Sequence, residues 1–184
     1  TYQTQQRMIL IADGGSTSCD WAVVDRSNRE IVCRFQSQGL NPYATTEQTI
    51  LSVLTDVVAK EVAPYTISEI HFYGAGVTEA KSPLLCSLIE RAIPAEIITA
   101  QSDMECAAKA LVGNNEGVVI ILGTGSNSAH YKDGQRVGGV AALGYILGDE
   151  GSGSVLGKTR LADIFQGVAP QPIVELFSAK YGTE

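Results

Sequence analysis

The sequence predicts an α/β protein with a mixed β-sheet, and three features of its apolar pattern lead to that class. Short runs rich in β-branched residues, at 8–12 and 117–122, each stop near glycine, as strands do. Strand-like runs separated by turn formers open the chain, which is typical of antiparallel pairing. From residue 46 onward helical and strand patterns alternate, which is typical of parallel strands joined by helices. The predicted sheet is therefore antiparallel first and parallel later.

The opening segment is expected to form three antiparallel strands. Residues 8–12 make the first strand, and residues 20–25 have the composition of a second strand after an intervening loop. Residues 26–29 are turn formers, and residues 30–36 fit a third strand that returns beside the second. Short connections of this kind join neighbouring antiparallel strands.

A regular alternation of helices and strands follows. Residues 46–62 carry apolar side chains at helical spacing and end before Pro64, and residues 67–73 form a strand stopped by glycine. A helix between two strands implies a crossover and hence a parallel pair. The same rhythm predicts helix 83–92, strand 96–99, helix 103–112 and strand 117–122.

The strand, glycine loop and hairpin that open the chain recur in its second half. Strand 117–122 leads through a glycine loop into a hairpin, whose strands 129–132 and 135–138 flank the pair Asp133-Gly134. An Asp-Gly pair suits a tight primed turn. The recurrence is expected when two similar domains face each other.

We therefore divide the chain into three regions. Residues 1–7 are polar and lack the apolar core of a signal peptide, so we expect a disordered tail that was trimmed or introduced for expression. Residues 8–114 are predicted to form a first domain. Residues 115–184 are predicted to start a second, truncated domain, because only helices, near 151–165 and over 172–181, follow its hairpin.

Composition excludes some function classes. Thirteen basic residues stand against 20 acidic ones, giving a net charge of −7 and an isoelectric point near 4.8. Such a chain repels nucleic acid and anionic membranes, so neither is expected as a partner. No apolar run approaches the ~18 residues that a membrane span needs. We expect a soluble protein. Because of its net negative charge, any phosphate site in it must depend on local features, namely loops, helix ends and a metal ion.

The cysteines predict neither a zinc site nor disulfides. Cys19, Cys33, Cys86 and Cys106 are widely spaced and form no Cys-x-x-Cys pair. Free thiols are the rule in a reducing compartment, so we expect a cytoplasmic protein.

Two glycine-hydroxyl loops, at residues 13–17 and 123–127, are the most informative motifs. Each follows an apolar strand. Glycine lets backbone N–H groups approach a phosphate closely, and the serine and threonine hydroxyls add uncharged donors. The pair of loops predicts two halves of one polyphosphate site.

Two carboxylates fit a phosphoryl-transfer site as well as simpler roles. Asp13 ends its strand directly before the glycines, where a carboxylate can reach Mg²⁺, although an Asp turn before Gly-Gly explains it equally. Asp103 opens a helix. It fits either of two roles, the N-cap residue of that helix or a base that accepts a hydroxyl proton. A helix N-terminus favours the ionised carboxylate, so we expect a lowered basicity and a mainly orienting role for Asp103.

Five motifs in register give the chain a family resemblance over nearly its whole length. They are residues 13–17 (Asp-Gly-Gly-Ser-Thr), 74–76 (Gly-Ala-Gly), Asp103 at a helix start, 123–127 (Gly-Thr-Gly-Ser-Asn) and 148–153 (Gly-Asp-Glu-Gly-Ser-Gly). Together they resemble the N-acetylglucosamine kinase branch of the BadF/BadG/BcrA/BcrD ATPase family, which belongs to the actin, hexokinase and Hsp70 superfamily. The resemblance implies an actin-like ATPase (ribonuclease H-like) fold, with a complete first domain, an incomplete second domain, and ATP in the cleft between domains.

The resemblance also implies a role for individual residues. The ATP phosphates would be bound by Gly14, Gly15, Ser16, Thr17, Gly123, Thr124, Gly125 and Ser126. The sugar would be bound by Asn41, Gly76, Asn127, Gly144, Tyr145, Asp149 and Glu150. Asp103 would be the catalytic base and Asp13 would hold Mg²⁺, directly or through water. The implied reaction transfers the γ-phosphate of ATP to the 6-hydroxyl of N-acetylglucosamine or a related amino sugar, with ATP and Mg²⁺ as cofactors and a homodimer as the assembly to be tested.

The chain departs from the family pattern in three places. Ser16 replaces a third glycine found in many relatives, and residues 140–145 (Val-Ala-Ala-Leu-Gly-Tyr) replace a Gly-Trp-Gly element. The second change is the one expected to affect sugar preference most. N-acetylglucosamine, glucosamine and N-acetylmuramic acid therefore all remain candidate substrates. Family members also continue well beyond Glu184 into the adenosine pocket, so we expect this fragment alone to be inactive.

Three further motifs bear on functions other than a sugar kinase. Residues 153–159 nearly match the phosphate loop of P-loop NTPases, but the spacing is one residue short and a helical pattern runs through them, which predicts a solvent-facing Lys158. Residues 123–128 lack the third glycine of a dinucleotide site and precede a hairpin. A BadF-type ATPase activator needs paired, exposed cysteines for its iron-sulfur cluster, and the four here are scattered. A non-catalytic ATP or sugar sensor stays open.

Overall fold

The computed structural model describes residues 7–182, which form two compact units divided between Gly113 and Asn114. The division falls one residue before the boundary predicted from the sequence. Most of the predicted tail lies outside the described residues. Arg7 is the exception and corrects the prediction, because it begins the first strand and pairs with Thr66.

The first unit contains a five-stranded mixed sheet. Its strands are β1 (Arg7–Gly14), β2 (Ser18–Asp25), β3 (Ile31–Gln38), β4 (Thr66–Gly74) and β5 (Ile97–Ser102). The spatial order is β3-β2-β1-β4-β5, with β1, β2 and β3 antiparallel and with β4 parallel to both β1 and β5. The predicted change from antiparallel to parallel pairing is confirmed, and it occurs at β1.

Helices connect the later strands. They are α1 (Glu47–Val53), a π-helical segment (Leu54–Val58), α2 (Ala59–Val62), α3 (Ser82–Ala92) and α4 (Asp103–Leu111). The first three form the single helix predicted for 46–62, which begins where the Thr46 hydroxyl accepts a hydrogen bond from the Thr49 N–H (3.2 Å). The π-helical geometry in its middle was not predicted.

The core of this unit lies on one face of the sheet. Leu10, Val23 and Phe72 are fully buried on neighbouring strands, and the indole of Trp21 stacks on Phe35 with ring centroids 6.0 Å apart. Helices α1, α2 and α3 cover this face. Helix α4 covers the other face, because the side chains it contacts alternate along the strands with those of the core.

The second unit begins with a three-stranded antiparallel sheet. Its strands β6 (Gly117–Leu122), β7 (Ser126–Lys132) and β8 (Gln135–Gly138) repeat the order of β1, β2 and β3. The predicted hairpin turn is confirmed, since Asp133 and Gly134 have φ angles of 50° and 71°, as a type I′ turn requires. Strand β7 begins earlier than predicted, so Ser126 and Asn127 belong to a strand and not to a loop.

Three helices follow: α5 (Gly144–Leu147), α6 (Gly153–Phe165) and α7 (Gln171–Tyr181). The short helix α5 was not predicted. Helix α6 is capped by the Ser152 hydroxyl, which accepts a hydrogen bond from the Val155 N–H (3.2 Å). None of the helices between residues 7 and 182 combines the length and apolar character that crossing a bilayer requires.

Candidate functional site

The parallel part of the first sheet brings the two predicted acidic residues to one edge. Strands β1, β4 and β5 are in register at their carboxyl ends, where Asp13 pairs with Tyr73 and Tyr73 pairs with Gln101. Asp103 follows the end of β5 directly. The carboxyl ends of parallel strands are where α/β proteins bind ligands, so Asp13 and Asp103 occupy a suitable position for a reaction site.

The loop between β1 and β2 rests on a glycine that the sequence reasoning missed. Gly39 is buried just after β3 and donates its N–H to the carbonyl of Thr17 (2.9 Å). A Cβ atom at Gly39 would lie 2.5 Å from the carbonyl oxygen of Ser16 and 2.6 Å from that of Gly15. Because the backbone at Gly39 packs this closely against the backbone of Gly15 and Ser16, it fixes the path of the predicted phosphate loop. A glycine directly after a strand was the only available signal in the sequence.

Asp103 lies inside the first turn of α4, and Ser102 is the N-cap residue, with φ −67° and ψ 154°. One carboxylate oxygen of Asp103 accepts a hydrogen bond from the Met104 N–H (2.9 Å). We expected the helix N-terminus to lower the basicity of this carboxylate, and that expectation was wrong. Burial raises the pKa of the Asp103 carboxyl above its ordinary value, against the lowering effect of the Met104 N–H, and the negative charge of Asp13 raises it further.

The thiols near this edge are held in the neutral form. Burial, followed by the negative charge of Asp13, raises the pKa of both Cys19 and Cys106. All four cysteines are free. Among residues 7–182 no three His, Cys, Asp or Glu side chains are grouped to hold a metal ion.

Asn41 and Gly76, both predicted to bind sugar, lie against each other. The side-chain oxygen of Asn41 accepts a hydrogen bond from the Tyr43 N–H (2.9 Å), which turns the amide toward the loop after β4. Gly76 has a φ of +75°, and a Cβ atom there would overlap the Asn41 amide. The preceding residue, Ala75, donates its N–H to the carbonyl of Gly14 (2.7 Å), which ties this loop to the end of β1.

In the second unit, Asp149 holds the other glycine loop in place. Its carboxylate accepts a hydrogen bond from the Ser126 N–H (3.1 Å), and a Cβ atom at Gly125 would lie 3.0 Å from the same oxygen. Asp149 has a φ of 59°, a left-handed conformation that Asp and Asn tolerate better than other side chains do. Asp149 therefore shapes the loop in addition to any direct contact with a ligand.

The start of α6 is joined to the same loop. The Ser154 hydroxyl donates to the carbonyl of Thr124 (2.6 Å), and the Gly153 N–H donates to that of Gly123 (2.9 Å). Residues 153–159 lie wholly within α6, so they cannot form the phosphate loop of a P-loop NTPase, as predicted. Lys158 is exposed, but its ammonium has a partner. It donates a hydrogen bond to the carbonyl of Tyr145 (2.9 Å) and lies 4.1 Å from the centre of the Tyr145 ring.

A pocket of about 260 Å³ in the second unit gathers some of the predicted sugar residues. It is lined by Ile120, Leu122, Ser126, Asn127, Ser128, residues 140–143, Asp149 and Glu150. The side-chain oxygen of Asn127 is buried without a hydrogen-bond partner among the described residues, so it is suited to accept one from a ligand hydroxyl. Gly144 and Tyr145, also predicted to bind sugar, do not line this pocket.

Replacing Asp149 by alanine is expected to destabilise the second unit by loosening the glycine loop. The change removes the acceptor of the Ser126 N–H and puts alanine in a left-handed conformation, so we expect a loss of stability of about 1–2 kcal/mol. Asp149→Asn keeps an acceptor oxygen and tolerates the backbone conformation, so it is the matched control. Thermal unfolding of both variants measures the difference, and equal melting temperatures would contradict this role.

Comparisons with solved structures agree with the fold. A candidate N-acetylglucosamine kinase from Porphyromonas gingivalis is 38% identical, with a TM-score of 0.88, and the match covers 96% of this chain and 63% of that protein. A candidate N-acetylglucosamine kinase from Chromobacterium violaceum is 16% identical, with a TM-score of 0.72 and coverages of 97% and 66%. MreB5 of Spiroplasma citri bound to ADP is 12% identical, with a TM-score of 0.53 and coverages of 71% and 50%.

These comparisons show the actin-like ATPase fold, and the chain spans less than two thirds of the length of each of the three proteins. No curated protein sequence matches the chain. The family model of the BadF/BadG/BcrA/BcrD ATPases matches residues 12–165, a range that includes both glycine loops, Asp103 and Asp149. The chain belongs to the BadF/BadG/BcrA/BcrD ATPase family.

Proposed function

We propose that the protein is an ATP-dependent sugar kinase that transfers the γ-phosphate to the 6-hydroxyl of N-acetylglucosamine or a closely related amino sugar. The observation that carries this proposal is a half-buried carboxylate of raised pKa, Asp103, at the sheet edge that also ends in Asp13 and a glycine-hydroxyl loop. Membership of an ATPase family supports the use of ATP. The 38% identity to the P. gingivalis protein supports the sugar as the acceptor.

In this proposal Asp103 orients the acceptor hydroxyl and takes its proton. A carboxylate whose pKa is raised by burial is a better base than an exposed one. The hydrogen bond from the Met104 N–H fixes the carboxylate, so one oxygen is held while the other can face the sugar. Phosphoryl transfer needs little more than such positioning together with charge neutralisation.

Asp13 is the residue that fits Mg²⁺. Its carboxylate is exposed at the end of β1, and its negative charge acts on Asp103 and Cys106, so a cation here would relieve repulsion within the site. Mg²⁺ keeps several waters and takes only one or two protein carboxylates, so a site with few side-chain ligands is suitable. When bound, the ion would neutralise charge on the phosphates.

The glycine loops are proposed to bind the ATP phosphates through backbone N–H groups and hydroxyls. In the first loop these are Gly14, Gly15, Ser16 and Thr17, and in the second Gly123, Thr124, Gly125 and Ser126. Each loop is supported independently within its own unit, by Gly39 in the first and by Asp149 in the second. Asn41, Gly76, Asn127 and Asp149 are proposed to bind sugar hydroxyls.

Coupled measurement of ATP consumption by the full-length protein tests this function. We expect N-acetylglucosamine to stimulate ADP release strongly, with one sugar phosphate formed for each ATP used. Sugar binding without sugar-dependent ADP release would instead favour a non-catalytic sensor.

We further propose a cytoplasmic location, because the cysteines are free thiols and the composition is acidic. The homodimer stays a prediction.

A further inference from the structure

The side chain of Lys109 joins the last turn of α4 to the ends of two strands. Its ammonium donates one hydrogen bond to the side-chain oxygen of Gln101 at the end of β5 (2.6 Å) and another to the hydroxyl of Tyr73 at the end of β4 (3.1 Å). It also lies 4.9 Å from the centre of the Tyr73 ring, which is within the range of a cation-π contact. Lys109, Tyr73 and Gln101 thus form a clamp that holds the helix on the sheet.

The turn between β5 and α4 has few other contacts that fix its angle. Strand β5 ends at Ser102 and α4 begins at Asp103, so no loop separates them. Ser102 is the N-cap residue, yet its side chain makes no capping hydrogen bond within residues 7–182. Two of the nine residues of α4 are buried, which gives the helix a narrow apolar contact with the sheet. The hydrogen bond from Lys109 to Gln101 spans eight residues and closes this corner.

The clamp adjoins both carboxylates of the candidate site. Asp13 pairs with Tyr73 and Tyr73 pairs with Gln101, so these three side chains lie on the same face of the sheet, on strands ~4.8 Å apart. Asp103 follows Gln101 by two residues and lies at the corner that the clamp closes. The position of Asp103 relative to Asp13 therefore depends on how α4 is held.

The half-buried thiol of Cys106 lies on α4 between Asp103 and Lys109 and responds to the same charges. Burial raises the pKa of this thiol, the negative charge of Asp13 raises it further, the ammonium of Lys109 lowers it, and Asp103 raises it. Charges act on a thiol only over short distances in water and salt. The clamp and the two carboxylates therefore belong to one local cluster.

We propose that Lys109 is a positioning residue that fixes the Asp103 carboxylate relative to Asp13. By holding the last turn of α4 on Tyr73 and Gln101, it sets the angle at which the helix leaves β5. The inference rests on the proposed kinase reaction, in which Asp103 must come within about 3 Å of the acceptor hydroxyl. A displacement of about 1 Å can cost roughly 10²-fold in rate, so the clamp supports turnover without contacting the substrate.

Kinetic measurements on Lys109→Met in the full-length protein test this role. We expect kcat to fall about 10- to 10²-fold and the KM values for sugar and ATP to change less than about twofold, because the base moves and the glycine loops do not. Lys109→Arg keeps a cation that donates hydrogen bonds and stacks on aromatic rings, so it should retain most of the activity. Lys60→Met removes an exposed lysine from α2 and is the matched control, which should keep the wild-type kcat.

A double-mutant cycle separates the clamp from a general disturbance of the site. Gln101→Met removes the acceptor and leaves the charge of Lys109, so it should also lower kcat, and the double variant should be no slower than Lys109→Met alone. Effects that multiply in the double variant would overturn the inference, because the two side chains would then act independently. A rise in both KM values as large as the fall in kcat would overturn it as well.

Hydrogen exchange distinguishes failure of this inference from failure of the proposed function. In Lys109→Met the amides of α4 should exchange about tenfold faster than in the wild type, as expected for the loss of a charged hydrogen bond, while those of α3 stay unchanged. That result supports the clamp even if no sugar stimulates ADP release, in which case only the kinase proposal fails. Wild-type exchange in α4 overturns the clamp, and sugar-dependent ADP release would then still support the kinase.

Discussion

Replacing Asp103 by asparagine is expected to lower sugar-dependent kcat by about 10²- to 10⁴-fold, the usual contribution of a positioned general base. Asparagine has nearly the same shape, and its carbonyl oxygen can still accept the hydrogen bond from the Met104 N–H. The KM for the sugar should therefore change little while kcat collapses. Initial rates over a range of sugar concentrations measure both constants. A rise in KM with an unchanged kcat would make Asp103 a binding residue only.

The same variant is expected to be more stable than the wild type at neutral pH. The pKa of Asp103 is raised in the fold, so the folded protein binds the proton more tightly than the unfolded chain does. The stability contributed by this group is therefore lost as the pH rises from the ordinary aspartate value of 3.8 to the raised one, and it stays lost above that. A neutral asparagine side chain would carry no such penalty. Thermal unfolding at pH 7 measures the gain, with Asp56→Asn, an exposed site, as the control.

The raised pKa of Asp103 also fixes the direction of the pH dependence. The base must be ionised to accept a proton, so the acid limb of kcat/KM should lie above the range of an ordinary carboxyl group. An acid limb at the ordinary aspartate pKa would indicate that another group limits the reaction at low pH.

Much of the framework could be predicted because the relevant signals are local in the sequence. Strand β6 begins and ends at the predicted residues, since a run of β-branched side chains closed by glycine has few other structures available. The alternation of helices and strands predicted that later strands are parallel, and the parallel strands β1, β4 and β5 bring Asp13 and Asp103 to one edge of the sheet. Local pattern and topology therefore lead to the candidate site.

Features that depend on burial or on contacts between distant residues were missed or wrongly predicted. The direction of the Asp103 pKa shift was wrong because the helix N-terminus is visible in the sequence, whereas desolvation by the surrounding residues is not. The π-helical segment Leu54–Val58 has the same apolar spacing as an α-helix, so periodicity does not reveal it. The support of the proposed phosphate loop after β1 by Gly39 joins positions more than twenty residues apart and leaves only a lone glycine in the sequence.

Replacing Gly39 by alanine is expected to lower both stability and activity, because Gly39 supports the loop after β1. The added Cβ atom would lie 2.5 Å from the Ser16 carbonyl oxygen and 2.6 Å from that of Gly15, and both oxygens belong to backbone that cannot rotate away. The loop must therefore shift as a whole. We expect the free energy of unfolding to fall by about 1–3 kcal/mol, as for other overpacked sites. Because a displacement of about 1 Å can cost roughly 10²-fold in rate, kcat/KM for ATP should fall by a similar factor.

Gly157→Ala provides the contrasting control for this prediction. Gly157 lies inside α6, and a Cβ atom there would meet nothing within 4 Å, so alanine should stabilise the helix by up to about 1 kcal/mol. The same substitution thus has opposite expected signs at the two glycines, and only Gly39→Ala should affect ATP. Chemical denaturation and ATP titration of both variants measure the two effects. Wild-type affinity for ATP in a folded Gly39→Ala variant would show that the loop after β1 does not bind the nucleotide, since its backbone would have moved without consequence.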